Sequence, residues 1–426
     1  MTTEVAVMNR TAIALAADSA VTIGGDKVYN TVNKLFTLSK TEPIGIMVFG
    51  SASIMNVPWE TVIKTYRKHI GSKKFPTIES CGKDFLEFLS KDGGIFSDKT
   101  RERFITQTVS NLCAAITQEV INDQRLEGAS DKEVLETAAQ IGSEIIYREY
   151  GQIEQQCDTA ATSKGIRKML ETYGELFNHL AASELENIYP LLEIDTKELL
   201  QKALAMYFFS EYMVGDYSGI VIAGFGEKEL FPKVITMNIQ GFLGSTNKVV
   251  IDQSKSNLAM DEDFSASIIP FAQSDMIHTF LSGIDPYLDN IYRQEVAQTI
   301  VELIDTAADK VAEGNREQFH SELRDSAEKA FEEMQQSIKT KQQETYLAQV
   351  ISMLDSLPKD ELAEMAETLV NLIAFKKKVT RGTESVGGPI DVAIITKGDG
   401  FVWIKRKHYF DPALNHHFFS NYNDGK

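Results

Sequence analysis

The chain has 426 residues, 43% of them hydrophobic, which is enough for two or three domains with real cores, and its formal net charge of −18 argues against nucleic acid or an anionic membrane as a partner. Lys376-Lys377-Lys378 and Lys405-Arg406-Lys407 are the only dense basic stretches, and both are short. Cys81, Cys113 and Cys157 lack paired spacing, no signal peptide opens the chain and no run approaches ~18 apolar residues, so the sequence points to a reducing cytoplasm without disulfides, zinc or a spanning helix.

Residues 3–8 and 11–17 are rich in Val, Ile and Ala and read as an antiparallel strand pair turning at Asn9-Arg10. Ala16-Ala17 before Asp18 are small, as expected where another backbone passes close. Ile23-Gly24-Gly25-Asp26 is turn chemistry. Residues 34–38 and 44–49 form a second strand pair, and Pro58 opens an amphipathic helix to about Ile70. From about Lys83 to Met213 apolar residues recur at three and four, as in Val109, Leu112, Ile116 and Val120, and predict helix throughout. Strands return at 217–226, 231–239 and 247–251, and 268–271 leads into a helix at 275–281. A second helical block runs from about Asp285 to Lys378. The chain closes with a strand at 389–396, a Gly398-Asp399-Gly400 turn and a return strand at 401–404.

The chemistry concentrates at the start. With Met1 removed, the chain begins Thr2-Thr3-Glu4; Asp18 follows 16 positions after Thr2 and Lys34 another 16 after that. A threonine hydroxyl is a weak nucleophile unless a base takes its proton. A free α-amino group on the same residue, with a reference pKa of roughly 7.7–8.0, is such a base and can act through one water. A nearby ammonium favours the alkoxide, and a carboxylate holds the ammonium in place. Thr2, Asp18 and Lys34 can therefore form a complete acyl-transfer site.

Thr2-Thr3, the Ala16-Ala17-Asp18-Ser19 strand end, Val32-Asn33-Lys34-Leu35 and Phe49-Gly50-Ser51-Ala52 resemble the proteasome β-subunit family of N-terminal-nucleophile hydrolases. The likeness is strong over the first 55 residues, fair over the last strands and nil in the helical blocks, about half of the chain in all. It implies an α+β fold, a four-layer αββα sandwich of two antiparallel sheets with inserted helical modules. The interrupted core is expected at 1–94, 205–284 and 379–411, helical insertions at 95–204 and 285–378, and a tail at 412–426. The resemblance also implies Thr2 as nucleophile, Asp18 and Lys34 as its electrostatic partners and the Gly50 N–H as oxyanion donor. Ser385, before Gly387-Gly388, falls near the family's supporting serine, one residue early and without the accompanying aspartate; Ser274 is a weaker candidate for another. Val21, Val32, Phe36 and Val48 fall where the family lines its specificity pocket and imply an apolar substrate side chain.

The expected function is a threonine-type peptidase or amidohydrolase without cofactor or metal. An acylase acting on a small amide and a catalytically inert proteasome-like assembly protein are the alternatives. Expected partners are a peptide or protein substrate and further copies of the chain, a ring included, with room for an ATPase partner.

Overall fold

In the computed structural model, residues 3–23, 27–91, 94–127, 131–157, 160–244, 246–256, 265–311, 315–380, 387–408, 410–417 and 420 are described. The strands are β1 (Thr3–Asn9), β2 (Ala12–Ala17), β3 (Val21–Ile23), β4 (Lys27–Tyr29), β5 (Leu35–Thr37), β6 (Ile44–Gly50), β7 (Ser53–Ile54), β8 (Val57–Pro58), β9 (Ser218–Gly224), β10 (Lys233–Phe242), β11 (Asn247–Ile251), β12 (Ala266–Ala272), β13 (Asp391–Thr396) and β14 (Gly400–Lys405). The helices are α1 (Trp59–Ile70), α2 (Ile78–Ser90), α3 (Asp98–Ile121), α4 (Asp131–Glu154), α5 (Ala160–Glu184), α6 (Ile194–Tyr207), α7 (Asp275–Ser282), α8 (Pro286–Ala308), α9 (Arg316–Gln342), α10 (Ala348–Asp355) and α11 (Lys359–Val379), with a π-helical turn between α9 and α10.

Two antiparallel five-stranded sheets organise the α+β fold. One has the order β12-β1-β2-β13-β14 and the other β11-β10-β9-β6-β5. The strand pairs expected at the chain start and end are both present, in one sheet: β2 lies between β1 and β13, with Asp391 opposite Ala17. Every residue of β1 and β2 is buried, because both faces of this sheet are covered. Ala6, Met8, Ile13 and Leu15 face Met47, Phe49, Val221 and Ala223 of the second sheet in one apolar cluster. Gly45 sits where the sheets come closest: a Cβ there would lie 2.9 Å from both Ile395 and Phe401.

The alanines on the opposite face of β2, Ala12, Ala14 and Ala16, let α11 approach closely, and Ala366, Leu369, Val370 and Ile373 pack there. Each such large aliphatic, fully buried, contributes about 1.5–3 kcal/mol of transfer free energy. On the far side of the second sheet, α1 and α2 bury Val62, Ile63, Tyr66 and Phe85 against Ile46, Ile220 and Ile235. A reciprocal Thr77–Ser80 capping box starts α2.

Helices α3–α6 share a separate apolar cluster that includes Ile105, Val109, Ile141 and Phe177. Lys248 on β11 reaches into its edge, is almost fully buried and donates to the carbonyls of Tyr207 and Ser210 at 2.6 Å each. These are carbonyls at the end of α6, which a cation satisfies well. Helices α8 and α9 pack on each other and leave most of their side chains exposed. The hairpins β3–β4 and β7–β8 went unread in the sequence, since strands of two or three residues carry almost no periodicity. No described helix is long and apolar enough to cross a membrane.

Candidate active site

Asp18 stands at the end of β2, where the strand leaves the sheet, and is fully buried. Its backbone N–H donates to the Thr3 carbonyl at 3.1 Å, and the Thr3 N–H returns a bond to Asp18 Oδ1 at 3.1 Å. Asp18 Oδ2 accepts from the N–H of Gly387 at 3.0 Å and of Ala20 at 3.3 Å. Lys34 Nζ completes the set by donating to Oδ1. A buried carboxylate costs several kcal/mol in desolvation unless it is paired and hydrogen-bonded, and here three backbone donors and one ammonium do so. Because the Asp18 donors come from β1, the turn after β2 and the segment before β13, the carboxylate locks three parts of the chain around residue 3.

Lys34 enters from the segment before β5, and its carbonyl accepts from Val48 N at 2.8 Å, which fixes the backbone against β6. Its side chain is 5% exposed, and Nζ also lies 3.4 Å from Glu4 Oε1. Glu4 was not singled out from the sequence. A carboxylate in the otherwise apolar run Glu4-Val5-Ala6-Val7 was the available signal, since a charge in a strand buried on both faces needs a partner.

A second buried pair adjoins the first. Asp391, opposite Ala17 on β13, accepts from Lys407 N at 2.8 Å and from Lys407 Nζ. Burial is the largest influence on Lys407 and lowers its pKa; Asp391 works against that, Lys34 adds to the lowering and Asp18 opposes it. Lys407 thus feels the charges of all three neighbouring groups. This also explains one basic stretch of the sequence: Lys407 is consumed internally, and Lys405 pairs with Glu367 at 2.6 Å. In the other, Lys376 bridges Asp275 and Asp285 at 2.9 and 3.3 Å.

A cavity of about 210 Å³ opens beside the ammonium and is lined by Val21, Val32, Lys34, Val48, Gly50 and Trp59, among others. Three of the four expected pocket residues, Val21, Val32 and Val48, share it. Phe36 does not: it packs in the apolar cluster beneath α1 and borders a neighbouring cavity with Arg67 and Trp403. Phe36 lies on the α1 side of β5, where Ile46, Trp59 and Ile63 enclose it. Pro58, Trp59 and Glu60 take its place. Gly50 ends β6 with φ +74°, and a Cβ there would come within 2.5 Å of the Tyr217 carbonyl, so only glycine fits.

Thr2 and Ser385 lie outside the described residues, as does the stretch 381–386 before Gly387. Ser274 is the N-cap of α7, without a side-chain capping bond. Thr3 is fully buried, so its hydroxyl cannot meet a substrate from solvent. Burial pushes the thiols of Cys81 and Cys113 up to about 12 and raises that of Cys157, which leaves no thiolate nucleophile among them at neutral pH. Among the described residues no cluster of three His, Cys, Asp or Glu could hold a metal ion.

No protein-family model matches the chain, and no curated protein matches it. Solved structures do. Anbu (ancestral beta-subunit) from Yersinia bercovieri is similar at 9% identity over 99% of this chain and 95% of that one, with a TM-score of 0.28. An Anbu (Gly-1) mutant from Hyphomicrobium sp. strain MC1 is similar at 9% identity over 100% and 96%, TM-score 0.27. Anbu from the same strain follows at 8% identity over 99% and 96%, TM-score 0.26. These neighbours correct the family read from the motifs: they are Anbu proteins, and the assignment to the proteasome β-subunit family of N-terminal-nucleophile hydrolases is withdrawn.

Proposed function

We propose that this chain is an amide hydrolase that uses its N-terminal threonine to cleave peptide bonds. The observation that carries the reading is the Asp18–Lys34 pair: Asp18 is buried against Thr3, and Lys34 lines a cavity that Gly50 also lines. Burying two charges this fully is costly, and a hydrophobic pair of the same volume would hold the fold at least as well. A site next to the chain start gives the charges a use.

In this reading removal of Met1 frees the Thr2 amine. The amine takes the hydroxyl proton through a water, and Thr2 Oγ1 attacks the carbonyl carbon. Lys34 stabilises the developing alkoxide, Asp18 orients Lys34, and the Gly50 N–H donates to the tetrahedral oxyanion. The amine then hands its proton to the departing nitrogen, the C–N bond breaks, and an ester on Thr2 remains. Water attacks that ester by the same route and restores the hydroxyl. Ser385 is proposed to support the amine. The packed layers, helices outside two facing sheets, are taken as the four-layer αββα sandwich, and self-association is part of the same proposal.

Two measurements test it together. Intact mass of the purified chain should show Met1 absent, and Thr2→Ala should lose turnover of peptide amides by at least about 10³-fold while retaining its circular dichroism. Hydrolysis at the wild-type rate by Thr2→Ala, or a chain that keeps Met1 and still turns over, would overturn the proposal.

A further inference from the structure

A second cavity, of about 300 Å³, lies next to the first, and Ser51 lines both. One wall is α3, which contributes Thr100, Arg103, Phe104, Gln107, Thr108 and Asn111. These positions recur at three and four, so they form one stripe along the helix. The opposite stripe, Ile105, Val109, Cys113 and Ile116, is buried in the α3–α6 core. The helix therefore presents apolar residues to its own module and hydroxyl, amide and guanidinium groups to the cavity.

The floor is the β7–β8 hairpin. Its two turn residues, Met55 and Asn56, have φ of 49° and 65°. Positive φ at both centres is the tight hairpin turn that Asn-Gly usually makes, and a methionine there carries strain. Met55 is held in it: its sulfur accepts from Phe242 N at 3.2 Å, and its side chain is buried. The far wall carries Asp216 and Gln240. Neither Arg103 nor Asp216 forms an ion pair with a described residue, so a cation and an anion stand uncommitted in the same cavity.

We propose that this cavity binds an extended peptide segment of the substrate, next to the residues flanking the bond that is cut. Three features select that ligand. The cavity adjoins the Lys34 cavity, since Ser51, next to Gly50, lines both. Its lining is dominated by paired donors and acceptors, which suit backbone amides and short polar side chains. Its two charges are of opposite sign, which gives no preference for a strongly acidic or basic ligand. A small amide filling the 210 Å³ cavity leaves this second site empty. The inserted helix thereby acquires a role in choosing polypeptide over small amides.

The inference rests on the proposed function for the position of the cut bond, and binding tests it apart from turnover. The probe is a fluorescein-labelled unstructured 12-residue peptide of Ser, Asn, Gln and Ala, and its labelled three-residue counterpart serves as comparison. Both are titrated into Thr2→Ala by fluorescence anisotropy. The long peptide should bind more tightly than the short one. In Thr2→Ala carrying Thr108→Trp or Gln107→Trp, which fills the cavity from a partly or fully exposed helix position, the long peptide's Kd should rise about 10-fold or more and the difference between lengths should disappear. Circular dichroism confirms that each filled variant is folded, and Arg103→Ala provides a second, non-filling variant with the same expected direction. Equal binding of both lengths, or an unchanged Kd for the long peptide in all three variants, would overturn the inference. Turnover by Thr2→Ala would instead overturn the nucleophile assignment and leave the binding result standing.

Discussion

Lys34 is the residue on which the site turns. Lys34→Met leaves the Asp18 carboxylate buried without its ammonium and removes Glu4's neighbour at 3.4 Å. Breaking a buried pair from one side costs about 3–5 kcal/mol, so the chemical-denaturation midpoint should fall together with activity. Asp18→Asn combined with Lys34→Met should recover much of the stability and none of the activity; recovery of both would show the pair to be structural. Gly50→Ala has a different signature. Its Cβ has no room against the Tyr217 carbonyl and its φ is left-handed, so turnover should drop by about 10²–10³ if the N–H shifts off the oxyanion position. Wild-type kinetics in Gly50→Ala would remove Gly50 from the mechanism. Lys248 gives a test of pH. Burial pushes its pKa down to about 7, with the charges of Cys157 and Glu211 opposing. Between about 7 and the unfolded lysine value the unfolded chain binds more protons than the folded one, so stability rises with pH across that window. Urea midpoints should increase from pH 7 to 9 in the wild type, and the increase should shrink in Lys248→Met; an unchanged slope would refute the assignment.

At the scale of elements, the strands around the site were legible where their composition is extreme. The Val- and Ala-rich runs before Asn9 and Asp18 gave β1 and β2 within a residue or two, and Pro58 gave the start of α1. Lys34 and Asp18 meet in the structure. What could not be read depends on contacts across the fold. Asp391 and Lys407 pair just past a register shift of the β13–β14 ladder between Val392 and Ala393, and a register shift leaves no mark in composition. The cavity residues Trp59 and Glu60 were read as the first turn of a helix, which they are, and only the packing of α1 beneath β6 turns that end toward Lys34. The same packing takes Phe36 into the core. Lys407→Gln should therefore act on the site from a distance. It removes a cation and leaves Asp391 unpaired, so groups near it hold protons more tightly, and the acidic limb of the kcat/KM profile should move to higher pH. Asp391→Asn with Lys407→Gln should move it back, and a profile that ignores both changes would make this pair purely structural.

For the whole molecule, the helical blocks account for much of the length, and their sequence periodicity announced helix without announcing purpose. The α3–α6 block has its own apolar core, and its α3 lines the second cavity. The α8–α9 hairpin is different: Tyr292, Val296 and Leu303 are exposed along one stripe of α8. If copies of the chain assemble through that stripe, light scattering should report an oligomer, and Leu303→Lys with Tyr292→Lys should yield monomers. A monomer in the unmodified chain would separate the arm from assembly. The central claim, that the Thr2 hydroxyl is the nucleophile, is tested most directly by peptide mapping after reaction with an electrophilic peptide β-lactone. One acyl adduct on Thr2, lost in Thr2→Ala and reduced in Lys34→Met, is the predicted result; a chain acylated elsewhere, or not at all, would contradict it.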